Sequence, residues 1–375
     1  MPSPATAVAC NRTGLQGCFG KKNKVKMRFD WRDSTIFPLL TPFRMDTSKK
    51  VFVTGSTGFI GSALIEKLLE RKFCVRALKR SVSTTAQPNL EYVSGDITDT
   101  ESLRKGMSGC SYVFHLAAYA KNWAADPQTY TRINIEGTRN VFSVAQELNI
   151  ERIVWTSTIV TLGPTPAGVG NEQMPRQTEQ CFTEYERTKT VMEREATQWI
   201  NNGLPLVIVN PTRMFGPGLQ SESNSVTKLI DWYRRGSLPF LLNWGRNLGN
   251  YGFIDDVALG HLLAMERGKI GERYILGGEN VSLKQLFQTV DKIDGKKRFQ
   301  LKIFWLIPML VAYYLELQAK CFGIYPSITP GWVRTFLVDW AFSCEKAEQE
   351  LGYKITPFEE ALRRTCQWLD KKSTH

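Results

Sequence analysis

The residue pair Tyr185 and Lys189 offers the clearest chemistry in this 375-residue sequence. If the two residues lie on a helix, a spacing of four places both side chains on one face. A free tyrosine has a pKa of about 10, too high for an efficient base near neutrality, and a neighbouring ammonium would lower it. The pair therefore predicts a group that donates or accepts a proton. Taken alone, the same spacing is typical of an ordinary surface helix, so the prediction depends on the motifs before it.

A glycine-rich turn precedes this pair in the chain. Gly55, Gly58 and Gly61 form a G-x-x-G-x-x-G pattern between an apolar run at 50–54 and an amphipathic helical pattern. Glycines permit a tight turn, and they let the backbone N–H groups at a helix N-terminus approach a pyrophosphate. An ordinary strand-to-helix turn is the alternative, but the place of this turn at the start of a βαβ pattern favours dinucleotide binding.

The elements that must position these residues alternate from Lys49 onward, as βαβ units do. Buried parallel strands are nearly continuous in Val, Ile and Leu. Strands are predicted on this basis at residues 50–54, 74–78, 90–94, 112–116, 152–156, 206–210 and 273–276. This order predicts an α/β fold built on a doubly wound, Rossmann-type parallel sheet.

The pattern loosens after Pro211, where Gly, Pro and Trp residues cluster. We assign residues 49–215 to a dinucleotide-binding domain, to which residues 253–278 return. The remaining segments, 216–252 and 279–375, are predicted to form a smaller, discontinuous C-terminal lobe that contacts the substrate.

Residues 1–48 show no periodic apolar pattern and are strongly basic. Residues 1–44 contain eight Lys or Arg, five of them between Lys21 and Arg28. We predict a disordered basic tail, or an upstream extension of a gene whose start is Met45. An organellar targeting segment is the alternative, and otherwise a cytoplasmic location is expected.

Composition excludes several classes of site. The eight cysteines are scattered without a C-x-x-C pair, so neither a disulfide framework nor a zinc site is predicted, and reduced thiols are expected. Three histidines leave little material for a His-based metal site or a Ser-His-Asp triad, and no metal is predicted. The net charge of +12 is not accompanied by zinc-finger spacing or an aromatic RNA-binding motif, so no nucleic-acid partner is predicted.

Further motifs follow the glycine turn in a fixed order. They are Gly95-Asp96-Ile97, His115-Leu116-Ala117-Ala118, Asn134-Ile135-Glu136-Gly137-Thr138, Thr156-Ser157-Thr158, Tyr185-x-x-x-Lys189 and Asn210-Pro211-Thr212. Over roughly residues 49–365, this ordered set resembles the extended short-chain dehydrogenase/reductase family, also described as NAD-dependent epimerases and dehydratases.

The resemblance implies a catalytic set of Thr158, Tyr185 and Lys189, in which the lysine also holds the nicotinamide ribose. Thr158 is preferred to Ser157 because it aligns by count to Gly163, which closes this loop in relatives. The implied cofactor contacts are Gly55, Thr57, Gly58, Phe59, Ile60, Gly61, Lys79, Arg80, Asp96, Ile97, Leu116, Ala117, Ala118, Tyr185, Lys189, Pro211 and Thr212.

The end of the second predicted strand bears on the choice of cofactor. Enzymes that prefer NAD usually place Asp or Glu there, to bind the ribose hydroxyls. Residues 76–81 contain no carboxylate, and Lys79 and Arg80 could neutralise a 2′-phosphate. We therefore expect NADP(H) to be preferred over NAD(H). The alternative is that both cations are merely solvated.

Two subgroups of the family are most similar to this sequence. Dihydroflavonol-reductase-like and 3β-hydroxysteroid-dehydrogenase-like reductases form one, and hopanoid-associated sugar epimerases, similar at 255–261 and 271–278, form the other. The Arg-Asp-Phe run usual in sugar-nucleotide epimerases is replaced by residues 250–254. We therefore expect an oxidoreductase that acts on a carbonyl or secondary alcohol of a lipidic, steroid-like or flavonoid-like molecule. A sugar or sugar-nucleotide epimerase or dehydratase and a catalytically silent cofactor-binding scaffold are the alternatives.

The apolar run 303–315 is too short for a membrane span, which needs about twenty helical residues. We expect a helix packed in the substrate lobe. The alternative is a partly exposed wall that admits a lipidic substrate or makes weak contact with a membrane surface. The expected partner is a small-molecule substrate, and a homodimer is the oligomeric state considered.

Overall fold

The computed structural model describes residues 43–81, 87–166, 168–237 and 240–373. The greater part of the predicted basic tail, including the run from Lys21 to Arg28, lies outside these residues.

Seven of the strands in this part of the chain form one parallel sheet, and the other five form two small sheets. The strands are β1 (Lys50–Thr54), β2 (Cys74–Lys79), β3 (Leu90–Ser94), β4 (Cys110–His115), β5 (Arg152–Thr156), β6 (Leu206–Pro211), β7 (Arg213–Phe215), β8 (Phe240–Leu242), β9 (Leu248–Phe253), β10 (Arg273–Leu276), β11 (Glu279–Ser282) and β12 (Leu301–Ile303). The large sheet has the order β3-β2-β1-β4-β5-β6-β10.

The described part of the chain also contains helices, several of which cover the two faces of the large sheet. They are α1 (Phe59–Glu70), α2 (Thr100–Met107), α3 (Gln128–Thr131), α4 (Gly137–Glu147), α5 (Glu184–Asn201), α6 (Ser225–Arg234), α7 (Ile254–Arg267), α8 (Leu283–Asp294), α9 (Leu306–Phe322), α10 (Pro330–Thr335) and α11 (Phe358–Ser373). A π-helical turn, Arg132–Glu136, joins α3 to α4.

The sheet is covered on both faces, as its composition requires. The strands β5 and β6 are buried at every residue, because helices lie above and below them. One core cluster joins the sheet to α1 and α7, through side chains such as Leu64 and Leu262. A second joins the other face to α2, α4 and α5, through Leu103, Phe142 and Met192. The predicted doubly wound, Rossmann-type fold is therefore confirmed.

The order of the sheet fixes where a ligand can bind. The chain passes from β1 outward to β2 and β3, and then returns to β4 on the other side of β1. The chain segments that follow β1 and β4 therefore lead to opposite sides of the sheet. This switch point opens a crevice at the carboxyl ends of the two strands, where ligands of such sheets bind.

Sequence reasoning missed the strands of the small sheets. The strand β9 pairs in parallel with β7 and antiparallel with β11, in a region that showed no strand pattern. Gly249, Asn250 and Gly252 interrupt its apolar alternation. The Asn250 amide is buried, donates to the Gly278 and Phe342 carbonyls, and accepts the Gly278 N–H at 2.8 Å. Long-range hydrogen bonds, which no local pattern reveals, replace apolar contacts there.

The start of the described chain contacts the core, so the predicted tail was drawn too long. Met45 is buried in the cluster beside the sheet. The Phe43 ring packs edge-on against Tyr112 with the ring centroids 5.8 Å apart, and the Arg152 guanidinium lies over its other side. Residues 43–48 thus belong to the folded part of the chain.

The predicted helix at 303–315 is present as α9, but it is not packed as expected. Of its apolar side chains only Met309, Ala312 and Ala319 are buried. Pro308 lies in the first turn, where the missing N–H costs no hydrogen bond. No helix among the residues that the structure describes has both the length and the apolar composition needed to cross a membrane.

We expect Met45→Ala to destabilise the protein by about 2 kcal/mol, because it removes a buried side chain and leaves a cavity. Urea unfolding measures the free energy of unfolding. Arg44→Ala, which truncates the exposed neighbouring side chain, is the matched control and should change that energy by no more than about 0.5 kcal/mol. Equal stability of the two variants would show that Met45 contributes no packing.

Candidate active site

A cleft of about 320 Å³ lies at the switch point of the sheet. Every predicted site residue except Lys189 lines it. The cleft also includes residues that the sequence did not single out as contacts, namely Leu78, Gly95, Ala120, Ile133, Thr156, Ser157, Met214 and Ser223. The structure thus brings together predicted residues that are more than 150 positions apart in the chain.

The glycine turn between β1 and α1 forms the tightest wall of the cleft. Gly55 has φ +67°, and a Cβ there would lie 2.6 Å from the Ala117 nitrogen. A Cβ on Gly61 would lie 2.1 Å from the Gly55 carbonyl oxygen. Gly58 is the N-cap of α1 and provides no side-chain cap. The N-terminus of this helix therefore faces the cleft without a competing side chain, as a pyrophosphate site requires.

The opposite wall follows β4 and is held in place by Thr54. Its hydroxyl oxygen accepts the N–H groups of Leu116 and Ala117, each at 3.2 Å. The same hydroxyl lies 2.7 Å from Nδ1 of His115, whose Nε2 lies 3.1 Å from the Thr138 hydroxyl. Burial lowers the pKa of His115 to about 3, so its ring is neutral and supports the wall.

The end of the cleft beside β2 carries positive charge. Lys79 places its ammonium 4.3 Å from the centre of the Tyr92 ring, and Arg80 is exposed. Within the described residues, neither cation is paired with a carboxylate. Among the residues that line the cleft, Asp96 carries a carboxylate. This carboxylate accepts hydrogen bonds from the Thr98 N–H at 2.9 Å and the Thr98 hydroxyl at 2.8 Å. Asp96 is thereby oriented by the turn that it closes.

Tyr185 and Thr158 both line the cleft. Thr158 follows the last residue of β5 by two positions and caps a short 3₁₀ turn, and Tyr185 lies in the first turn of α5. Burial raises the pKa of Tyr185 to about 12, and a hydrogen bond with Thr158 partly opposes that rise. The neighbouring Ser157 hydroxyl instead donates to the buried Glu193 carboxylate. This arrangement leaves Thr158, rather than Ser157, beside Tyr185.

Lys189 lies behind the cleft and does not line it. Its ammonium donates to the Thr156 carbonyl at 2.8 Å and lies 4.5 Å from the centre of the Trp155 ring. Burial lowers its pKa to about 7, although the Glu193 charge acts in the opposite direction. The expected lowering of the tyrosine pKa by this ammonium is therefore wrong, because Lys189 is directed at β5 and burial dominates at Tyr185.

A buried ion pair fixes the helix that carries both residues. Arg176 pairs with Glu186, and both side chains are buried. Arg176 also donates to the Val160 and Thr161 carbonyls, which follow Thr158. Because Glu186 directly follows Tyr185, this pair sets the first turn of α5 against the loop that carries Thr158.

The residues of the cleft fit a dinucleotide. The glycine turn leaves no room for a side chain beside Ala117, and an uncapped helix N-terminus faces the same space. On the far side, the Thr212 hydroxyl oxygen is buried and has no hydrogen-bond partner among the described residues. In the same part of the chain, no cluster of three or more His, Cys, Asp or Glu side chains could hold a metal ion.

Comparison with known proteins agrees with this geometry. Residues 51–277 match the NAD dependent epimerase/dehydratase family. A putative dihydroflavonol 4-reductase of Synechocystis is 34% identical over 325 residues, which cover 84% of this chain and 93% of the relative. Sterol demethylase protein B of Methylococcus capsulatus is 32% identical, with 85% and 98% covered. The crystal structure of gox2253 superposes with a TM-score of 0.74 at 35% identity, covering 86% of this chain and 98% of that one.

The buried lysine predicts a pH dependence of stability. An unfolded lysine has its ordinary pKa of 10.5, whereas folding lowers that of Lys189 to about 7. Between these values the unfolded chain binds more protons, so this residue makes the folded state more stable as the pH rises. We expect the free energy of unfolding of the native protein, relative to Lys189→Met, to increase between pH 7 and 9 by up to about 1.4 kcal/mol per unit.

Urea unfolding at several pH values measures this slope. Lys354→Met, which removes an exposed lysine, is the control for the loss of a lysine side chain. A difference between native protein and Lys189→Met that stays constant over this range would contradict the burial of a titrating ammonium.

Proposed function

Because the chain belongs to the NAD-dependent epimerase/dehydratase family, whose members are nicotinamide-dependent enzymes, we propose that it is an NADP(H)-dependent oxidoreductase of the extended short-chain dehydrogenase type. Its reaction interconverts a carbonyl and a secondary alcohol on a lipidic, steroid-like or flavonoid-like molecule. The observation that carries the proposal is that Thr158 and Tyr185 line the same cleft, which the glycine turn closes.

Residues at or just after the ends of β1, β3, β4 and β6 would hold the cofactor. The Gly55–Gly61 turn and the N-terminus of α1 would bind the pyrophosphate, and Asp96 with Ile97 would contact the adenine. Leu116, Ala117 and Ala118, with Pro211 and Thr212, would contact the nicotinamide half; all of these residues line the cleft. When bound, the nicotinamide supplies or accepts the hydride that this chemistry needs.

The proton that the reaction needs would come from the protein itself. With a pKa of about 12, Tyr185 carries its proton at neutral pH. In that form it is a general acid, able to protonate the oxygen of a carbonyl that is being reduced. The Thr158 hydroxyl fixes this oxygen beside Tyr185 and limits its orientations. The arrangement therefore supplies the proton that reduction of a carbonyl requires.

The Lys189 ammonium donates to a backbone carbonyl at the end of β5 and not to a carboxylate. Its bond to the Thr156 carbonyl fixes the strand end from which Ser157 and Thr158 project. In the same position its charge is available to a ribose hydroxyl, which would draw the ammonium toward the cleft. Lys189 is thus proposed to bind the cofactor and to position the catalytic hydroxyls.

The preference for NADP(H) is supported by the charge at β2. Lys79 and Arg80 line the cleft there, and no carboxylate replaces them among the lining residues of that strand. A guanidinium binds a phosphate through two parallel hydrogen bonds, whereas a carboxylate would repel it. NAD(H) lacks the 2′-phosphate and would gain nothing from either cation.

The substrate class is supported by the apolar lining and by the relatives. Ala120, Ile133 and Met214 line the cleft outside the predicted cofactor contacts. The similar proteins are described as a putative dihydroflavonol 4-reductase and as sterol demethylase protein B, and both names refer to ring compounds rather than to sugar nucleotides. These observations favour an apolar carbonyl compound over a sugar nucleotide.

Tyr185→Phe is expected to lower turnover of an accepted ketone by at least about a hundredfold while NADPH still binds, because a general acid is removed. Loss of NADPH absorbance with a panel of steroid, isoprenoid and flavonoid ketones measures the turnover. Tyr274→Phe removes another buried hydroxyl, one that donates to Glu350 outside the cleft, and serves as the control. Near-normal activity of Tyr185→Phe would exclude the mechanism, and conversion without net NADPH loss would indicate an epimerase.

Arg80→Ala is expected to lower the affinity for NADPH by about tenfold or more and to leave that for NADH unchanged, because a charged hydrogen bond to the 2′-phosphate is lost. Titration of each cofactor gives the ratio of the two affinities. Lys354→Ala removes an exposed cation away from the cleft and should not alter the ratio. Equal affinities of the native protein for both cofactors would contradict the preference.

A further inference from the structure

The outward face of α9 is apolar, which is unusual for a helix at a protein surface. Met309, Ala312 and Ala319 form its inner stripe and face the rest of the chain. The opposite stripe would normally be polar or charged. Here it carries Ile307, Leu310, Val311, Tyr314 and Leu317, with Leu310 and Leu317 each 60% exposed.

Segments next to α9 in the sequence also expose large apolar side chains. Phe299 is 77% exposed before it and Phe322 is 74% exposed at its end. We call the whole surface the apolar platform. Its exposed members are Phe299, Leu301, Phe304, Trp305, Leu306, Ile307, Leu310, Val311, Tyr313, Tyr314, Leu317, Phe322, Ile324 and Tyr325. Contiguous apolar patches of this kind mark interaction sites.

Three lysines close to the platform in the sequence have no acidic partner among the described residues. Lys296, Lys297 and Lys302 are exposed, and none of them has a carboxylate partner among the described residues. From Lys296 to Tyr325 the sequence contains one acidic residue, Glu316, which is paired with Lys320. The platform is therefore bordered by cations that nothing in the described chain neutralises.

We propose that the apolar platform is a docking surface for an anionic lipid bilayer. Exposed Leu, Ile and Phe would enter the boundary between headgroups and acyl chains, and Trp305 and the tyrosines would lie at the headgroup level. Lys296, Lys297 and Lys302 would contact the anionic headgroups. Because α9 has 17 residues, it would lie along the surface rather than cross it.

Two protein occupants fit the same surface less well. A protein partner would need carboxylates at the rim of the interface to meet these lysines. A second copy of this segment cannot supply them, because its one acidic residue, Glu316, is already paired with Lys320. An anionic bilayer satisfies both the apolar and the charged part of the surface.

The platform is joined to the mouth of the cleft. Tyr325, at its end, donates a hydrogen bond to the Glu222 carboxylate, which also accepts the Asn122 N–H at 2.7 Å. Glu222 precedes Ser223, which lines the cleft. A protein docked through the platform would thus hold its cleft close to the bilayer, where a lipidic carbonyl compound resides.

Flotation of the full chain with vesicles tests the proposal without substrate or cofactor, so its outcome is independent of the proposed reaction. We expect the protein to float with vesicles of phosphatidylcholine and phosphatidylglycerol, and to do so less at high salt. Lys296→Gln, Lys297→Gln and Lys302→Gln should each weaken partitioning by roughly fivefold. Pure phosphatidylcholine vesicles should carry much less protein.

The double variant Leu310→Glu/Leu317→Glu should remain in the aqueous fraction. Ile270→Glu, at an apolar residue that is 55% exposed outside the platform, is the matched control and should float. Circular dichroism and thermal unfolding establish that each variant is folded. Native protein that stays aqueous with both vesicle types overturns the proposal. The proposal is also overturned if Leu310→Glu/Leu317→Glu and Ile270→Glu lose vesicle binding to the same extent. It is overturned as well if the native protein is a dimer that Leu310→Glu dissociates.

Discussion

The burial of the Lys189 ammonium is the constraint around which the catalytic side of this protein is organised. An ammonium removed from water is costly unless its protons are satisfied. Here the Thr156 carbonyl and the Trp155 ring, both at the end of β5, receive it. The same contact joins α5 to β5, so the helix that carries Tyr185 and the strand end that carries Thr158 cannot move independently. The buried Arg176–Glu186 pair reinforces this junction from the other side.

Much of the fold followed from local pattern. The parallel strands are apolar runs of the kind that sheets covered on both faces require, and the glycine turn stands where the first strand meets the first helix. The strand β9 could not be predicted in this way, because the buried Asn250 lies near its centre. That amide is stable in the interior only through partners supplied by Gly278 and Phe342, which are far away in the sequence. Met45 was assigned to a tail for a similar reason, since one apolar residue in a basic segment makes no pattern.

The candidate site was predictable as a set of residues but not as an electrostatic arrangement. Motif order identified the side chains that line the cleft. It could not show that Lys189 is directed at the Thr156 carbonyl, or that burial would keep Tyr185 protonated. Spacing of four on a helix shows that two side chains share a face. The pKa of each is decided by solvent exposure and by hydrogen-bond partners from other strands. The same limit explains α9, whose apolar run gave no indication that most of it would be exposed.

The hydrogen bonds around Thr54 have a consequence for the protonation of the cleft wall. A threonine hydroxyl offers one donor and two lone pairs. Both lone pairs of Thr54 are taken by the N–H groups of Leu116 and Ala117, so its proton must point to Nδ1 of His115. His115 is therefore the Nε2–H tautomer, and it donates to Thr138, which in turn donates to the Asn134 carbonyl. The chain of donors runs in one direction from β1 to the helix beyond β4, and a proton added at Nδ1 would break it.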